Sequence, residues 1–199
     1  MTIRSKTLTV VLLLVGCAYA LLGWLLVGRI RSDFARLEQR EAQRNMERVH
    51  EAVLASVDTL CEKVNDWAVW DDTYAFMADR SKAYVESNIV EASFTGMKLN
   101  VILFFGSDGA LVLGQAFDEA DRMGAALPAP LLAARFGPRS PLIALPAIND
   151  TKRGILVGEG HPPLLFCSQP IVTSDGEGPS RGTMVFGAWL TEARQEHLE

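Results

Sequence analysis

The sequence has few of the residues that build metal centres and disulfide frameworks. None of its cysteines and histidines lie at the spacing of a zinc site, the full set being Cys17, Cys61, Cys167, His50, His161 and His197. A bridge between Cys61 and Cys167 is possible in an oxidising compartment. We favour two buried thiols instead, because free cysteine is among the most buried residue types. We predict neither a metal nor a cofactor.

Catalytic motifs are absent as well. The sequence has no GxSxG, no P-loop, no HExxH and no cysteine with a nearby histidine signature. The neighbouring carboxylates Asp71 and Asp72 diverge by about 100° on a helix, so they cannot flank one bond as a glycosidase pair does. The sequence therefore predicts a protein that is not an enzyme.

Basic residues are scarce after the N-terminal segment. Residues 1–32 carry four basic side chains and no acid, whereas the rest of the chain holds 15 basic and 24 acidic residues, a net charge of −9. Nucleic-acid binding requires clustered lysine and arginine to displace counterions. Nucleic acid is therefore excluded as a partner.

One segment is long and without charge. Leu8–Val27 reads LTVVLLLVGCAYALLGWLLV, and twenty helical residues span a hydrocarbon core of about 30 Å. The run is longer than the apolar part of a cleaved signal peptide, so it predicts an uncleaved anchor. Because Arg4 and Lys6 on one side face Arg29 and Arg31 on the other, the charge count leaves the orientation open.

A long helix is predicted after this segment. No glycine or proline occurs between Arg29 and Val64. Apolar residues recur at steps of three and four from Met46 onward, which favours packing of one face on a domain or on a twin helix. We predict a second helix at Asp66–Ala78, and a short helix that starts at the capping-box spacing of Asn88 and Glu91.

The hydrophobic period then changes to that of strands. The apolar runs Asn100–Phe105 and Ala110–Gly114 flank Gly-Ser-Asp-Gly, which predicts a β-hairpin. A short helix is predicted at Leu127–Phe136, followed by three strands at Gly154–Val157, Leu164–Val172 and Thr183–Trp189. Helices followed by an antiparallel meander indicate the α+β class.

The string DWAVWDDTYAF at Asp66–Phe76 resembles the fourth class of CHASE domains, extracellular sensors of bacterial and archaeal cyclases and histidine kinases. The resemblance covers roughly residues 45–190. Outside the string it is carried by Asp79, Tyr84, Ser87, Asn88, Phe94, Asn100, the hairpin and the final Gly-Thr-Met-Val-Phe-Gly at 182–187.

The resemblance implies a PAS/Cache-like domain with a central antiparallel sheet, placed in the periplasm and anchored in the inner membrane. It would bind a small ligand and signal to a cytoplasmic output domain absent from this chain, a cyclic-di-GMP cyclase or phosphodiesterase or a histidine kinase. The alternative is a free-standing anchored binding or adaptor protein that regulates a separate receptor.

Four regions are expected. Residues 1–32 form the anchor, 33–66 a signalling helix, 67–190 the sensor domain, and 191–199 a C-terminal helix leading towards a second membrane segment absent from this chain. We also expect a homodimer through residues 28–64, since parallel helices leaving one membrane can pass a signal by short slides or rotations.

Helical spacing places Trp67, Trp70, Asp71 and Tyr74 on one face of the predicted helix. These side chains either pack as core with Asp71 in a structural pair, or line a pocket for a small polar ligand. Adjacent carboxylates and aromatic rings suit a cationic or zwitterionic molecule. The candidate ligand-binding residues are Trp67, Trp70, Asp71, Asp72, Tyr74, Tyr84, Asn88 and Asn100.

Overall fold

In a computed structural model, one helix, α1, runs from Ile3 to Ala68. The backbone is described for residues 3–137, 139–158 and 160–191, and the side chains for residues 14–24, 29, 38–137, 139–158 and 160–191. The chain divides into two compact units, Met1–His50 and Glu51–Glu199. The predicted long helix is confirmed.

The membrane prediction concerns the first part of α1. Within the described part of the chain, no helix has both the length and the apolar character needed to cross a membrane. The predicted segment Leu8–Val27 extends beyond that part at both ends, because the side chains of residues 8–13 and 25–27 lie outside the described residues. The predicted C-terminal helix also lies outside them, except for Thr191.

Short helices follow α1 in the second unit: α2 at Asp71–Asp79, α3 at Lys82–Asn88, α4 at Glu91–Met97 and α5 at Ala129–Arg135. The predicted capping box at Asn88 is wrong, although α4 does begin at Glu91. Val90 precedes α4 without a side-chain cap. Asn88 instead ends α3, and its amide donates to the carbonyl of Tyr84 at 3.0 Å, since the side chain can reach back one helical turn.

The sheet has five antiparallel strands: β1 at Val101–Gly106, β2 at Leu111–Ala116, β3 at Lys152–Leu156, β4 at Leu164–Pro170 and β5 at Gly182–Trp189. Their order is β2-β1-β5-β4-β3. The hairpin β1–β2 is confirmed, with Gly109 at a φ of 77° in its turn, where glycine is unstrained. The predicted α5 and the three later strands are confirmed as well, and so is the α+β class.

Both faces of the sheet are buried along its central strands β1, β4 and β5. Ile102 and Phe104 of β1 point into a core with α1, α2, α3 and α4. Val101, Leu103 and Phe105 of the same strand point into a second core with α5. Because alternate side chains enter different cores, β1 is one continuous apolar run in the sequence.

The two distant cysteines form a disulfide, so the expectation of two buried thiols is wrong. Cys61 of α1 and Cys167 of β4 are joined with their Cα atoms 5.3 Å apart, inside the normal range for a bridge. Packing of α1 on the sheet brings together residues separated by 106 positions. Their spacing in the sequence carries no sign of that contact.

The apolar stripe of α1 is partly intramolecular. Val57, Leu60 and Val64 are buried in the core of the second unit. Met46 and Val49 are exposed. The homodimer through residues 28–64 stays a prediction.

Candidate functional site

A second helix is confirmed, but it begins at Asp71 and not at Asp66. The aromatic and acidic string therefore does not lie on one helix, and its predicted single face is wrong. α1 ends at Ala68, and α2 begins at Asp71. Between them Val69 forms a parallel bridge with Val172, whose N–H donates to the carbonyl of Ala68 at 3.0 Å. The segment after β4 thus supplies a backbone partner in place of one that a continuous helix would use.

The two tryptophans are brought together with Tyr84 above the sheet. The rings of Trp67 and Trp70 meet edge to face with centroids 6.4 Å apart. Trp67 also contacts the ring of Phe186 in β5 at 5.7 Å, and Trp70 contacts Tyr84 at 6.1 Å. Both tryptophans are half-buried against the core, so their rings mainly stabilise the junction of α1 and α2.

Tyr84 is a core residue. It is 7% exposed, stacks on Phe76 with ring centroids 4.6 Å apart, and shares a 2.7 Å hydrogen bond with the hydroxyl of Thr73. Burial raises the pKa of Tyr84 to about 12, the bond to Thr73 opposes that rise, and the charge of Asp72 adds to it. The phenol is therefore neutral at physiological pH and satisfied within the domain.

Asp71 forms a reciprocal pair with Ser174. Its Oδ1 accepts the Ser174 N–H at 3.0 Å, while its own N–H donates to Ser174 Oγ at 3.1 Å. Asp72 is exposed on the next position of α2. The Asp71 carboxylate is thus bonded within the domain, whereas the Asp72 carboxylate faces solvent.

Replacing Asp71 by Ala should lower the free energy of unfolding by about 1 kcal/mol, because the Ser174 N–H loses its acceptor. Asp72→Ala is the matched control, since both residues lie in the first turn of α2 and share its dipole contribution. Urea denaturation of both variants measures the difference. Equal losses of unfolding free energy in the two variants would show that the hydrogen bonds between Asp71 and Ser174 do not contribute to stability.

Tyr74 is held by Arg181. The Arg181 guanidinium lies 3.8 Å from the centroid of the Tyr74 ring and donates to the Tyr74 carbonyl at 2.8 Å. The Tyr74 hydroxyl donates to the carbonyl of Pro179 at 3.1 Å. An internal cation already occupies one face of this ring.

The two candidate asparagines lie apart from this region and bond to the backbone. Asn88 binds the carbonyl of Tyr84, as described above. Asn100 accepts the Trp189 N–H at 2.9 Å and donates to the carbonyl of Phe117 at 3.1 Å, so it fastens the end of β5 to the segment after β2. The ligand role of all eight candidates stays a prediction.

A shallow polar cleft of about 540 Å³, open to solvent, lies beside α1, and none of the predicted residues lines it. Asp58, Cys61, Glu62, Asn65, Asp66, Arg153 and Gln169 line it. Arg153 forms an ion pair with Asp58, whereas Glu62 and Asp66 have no hydrogen bond or ion pair with a described residue. An acid recurs every four residues at Asp58, Glu62 and Asp66, and this spacing indicates one face of a helix. The other side of the cleft is formed by β3 and β4, which are distant from α1 in the sequence.

Comparison with known proteins identifies related sequences. The CHASE4 domain family matches residues 52–199. The methanogenesis regulatory histidine kinase FilI of Methanothrix harundinacea (strain 6Ac) is 30% identical over 142 residues, which is 71% of this chain and 16% of FilI. The chain thus spans a small part of that relative.

Two solved structures share the fold. The sensor domain of the Vibrio cholerae histidine kinase DctB has a TM-score of 0.54 at 12% identity, over 80% of this chain and 58% of that one. The extracellular domain of vpHK1S-Z8, described as a histidine kinase, has a TM-score of 0.51 at 16% identity, over 76% and 57%. The resemblance seen in the sequence is confirmed: the chain belongs to the CHASE4 domain family.

Proposed function

We propose that this chain is the extracytoplasmic sensor region of a transmembrane signalling receptor. The disulfide Cys61–Cys167 is the observation that carries the proposal. Structural disulfides persist in oxidising compartments such as the periplasm and are rare in the cytosol. Membership of the CHASE4 family and similarity to part of a histidine kinase support the same conclusion.

The anchor in this proposal is the uncharged segment Leu8–Val27, inserted in the inner membrane with the residues after Arg31 in the periplasm. Its support is the length of the apolar run. The disulfide supports the orientation that the flanking charges leave open.

Alkaline phosphatase joined after Thr191 should be active in a bacterial host, because that enzyme matures only outside the cytoplasm. β-Galactosidase joined at the same position should be inactive. The control is the same fusion without residues 8–27, which should reverse both results and leave Cys61 and Cys167 as thiols. An inactive phosphatase with an active β-galactosidase on the intact chain would overturn the proposed topology.

The type of output domain is proposed from the similarity to FilI. FilI is a histidine kinase, which favours a kinase over a cyclic-di-GMP cyclase or phosphodiesterase. The alternative remains a free-standing anchored adaptor. The reading frame beyond residue 199 discriminates between them, since a second apolar run of about 20 residues would support the receptor.

We propose a small cationic or zwitterionic ligand for this sensor. The cleft beside α1 supports its position better than the aromatic string, because Glu62 and Asp66 lack partners among the described residues whereas Asp71 is bonded to Ser174. A cation would gain from both carboxylates, and an anion would meet their repulsion.

A thermal-shift screen of amines, amino acids and carboxylates should find stabilising compounds among the first two classes. Glu62→Gln should weaken that stabilisation, since a charge-assisted hydrogen bond contributes about 1.5–3 kcal/mol, or roughly 10- to 150-fold in affinity. The matched control is Glu86→Gln, which changes an exposed acid of α3 outside the cleft. A dicarboxylate that stabilises both variants equally would contradict the ligand class.

A further inference from the structure

The two cysteines of the disulfide differ in their exposure to solvent. Cys61 is 8% exposed and Cys167 is 0% exposed. Cys61 lines the polar cleft of about 540 Å³, and Cys167 does not. Cys167 lies in β4, an inner strand of the sheet between β3 and β5. A molecule in the cleft therefore meets the bridge at Cys61.

The charges around Cys61 are predominantly negative. Glu62 is its neighbour on α1, and Asp58 and Asp66 lie within about one and a half turns of it, all three on the wall of the cleft. Arg153 compensates Asp58. Lys63, the other nearby cation of α1, donates to the carbonyl of Met97 and is not part of the lining. Glu62 and Asp66 thus leave a negative field over the route to the sulfur.

We propose that Cys61 is a thiol-exchange site, through which small thiols, cationic in preference to anionic, open the bridge between α1 and β4. The thiolate of the small molecule attacks Cys61 Sγ and forms a new S–S bond as the bond to Cys167 breaks. The electron pair leaves on Cys167 Sγ, which takes a proton from solvent. A second thiol then attacks the sulfur of the small molecule and releases Cys61, so that two thiols are oxidised to one disulfide.

Opening the bridge removes the covalent connection of α1 to the sheet and leaves non-covalent contacts. Val57 and Val64 remain in the core, and the Val172 N–H still bonds to the carbonyl of Ala68. The last turns of α1 are then held by these non-covalent contacts alone, which gives this helix two states set by the redox surroundings. The proposal does not depend on the identity of the sensed ligand.

The test uses the full chain with Cys17→Ser in a neutral detergent, since Cys17 is a free thiol. The protein is exposed briefly to mercaptoethylamine, which is cationic, or to mercaptoethanesulfonate, which is anionic. The exchange reaction is then quenched with acid. Peptide mass spectrometry should find the mixed disulfide on Cys61. The rate of mixed-disulfide formation with the cationic thiol, divided by the rate with the anionic thiol, should fall about tenfold in Glu62→Gln/Asp66→Asn. High salt should reduce the preference of the parent chain for the cationic thiol.

The control is Glu86→Gln/Glu119→Gln, which makes the same change in charge at exposed acids outside the cleft and should keep the parent rate ratio. Adducts shared equally between Cys61 and Cys167 would indicate attack on unfolded chains and overturn the proposal. So would an unchanged rate ratio in the cleft variant. The position of the adduct is read on the parent chain, so the result does not require the charge variants to fold.

Discussion

The double variant Cys61→Ala/Cys167→Ala should lose about 2–5 kcal/mol of unfolding free energy, the usual result of removing a native disulfide. The bridge closes a loop between residues 106 positions apart. In the chain-entropy account, a loop of this length restricts the unfolded state more than a short one does. Urea denaturation of the oxidised protein and of the variant measures the difference.

Cys17→Ala is the control for this experiment, because Cys17 is free and its removal opens no disulfide-closed loop. Its unfolding midpoint should match that of the wild-type protein. A reductant should lower the midpoint of the wild type and of Cys17→Ala, and leave that of the double variant unchanged. A double variant as stable as the wild type would show that the bridge does not restrict the unfolded chain.

Phe104→Ala should be similarly destabilising, at about 3–5 kcal/mol. Phe104 is fully buried in the centre of β1, where its ring meets Phe76 of α2 at 5.3 Å and Tyr84 of α3 at 6.3 Å. Truncation leaves a cavity between β1 and the helices α2 and α3, which close packing prevents from collapsing fully. Thermal or urea unfolding gives the magnitude.

Leu111→Ala is the matched control, on the neighbouring edge strand β2 with 49% of the residue exposed. It removes a large apolar side chain from the same hairpin and should lower the stability by about 1 kcal/mol or less. If the two substitutions have the same effect, the aromatic contacts of Phe104 do not form the core described above.

Local patterns predicted the sheet well. The hairpin β1–β2 follows from two β-rich runs around Gly-Ser-Asp-Gly, and the resemblance identified the family that the comparison confirms. These features depend on residues close together in the sequence. The expected class, helices first and an antiparallel sheet afterwards, follows from the same short-range information.

The remaining features depend on tertiary contacts. The string at Asp66–Phe76 has helical spacing throughout, but the bridge from Val69 to Val172 interrupts the helix because the segment after β4 supplies a competing backbone partner. The pairing of Cys61 with Cys167 and the lining of the cleft by Arg153 arise in the same way, from the docking of α1 on β3 and β4. The partners in each of these contacts are far apart in the sequence, so a local sequence pattern cannot predict them.

The strand order has a consequence for folding during synthesis of the chain. β5, the last of the described strands in chain order, lies in the middle of the sheet between β1 and β4. Until it emerges, β1–β2 and β3–β4 are separate hairpins with open edges, which are prone to pair with other chains. The sheet therefore cannot assemble until Gly182–Trp189 has been translated, and both hairpins keep an open edge until then.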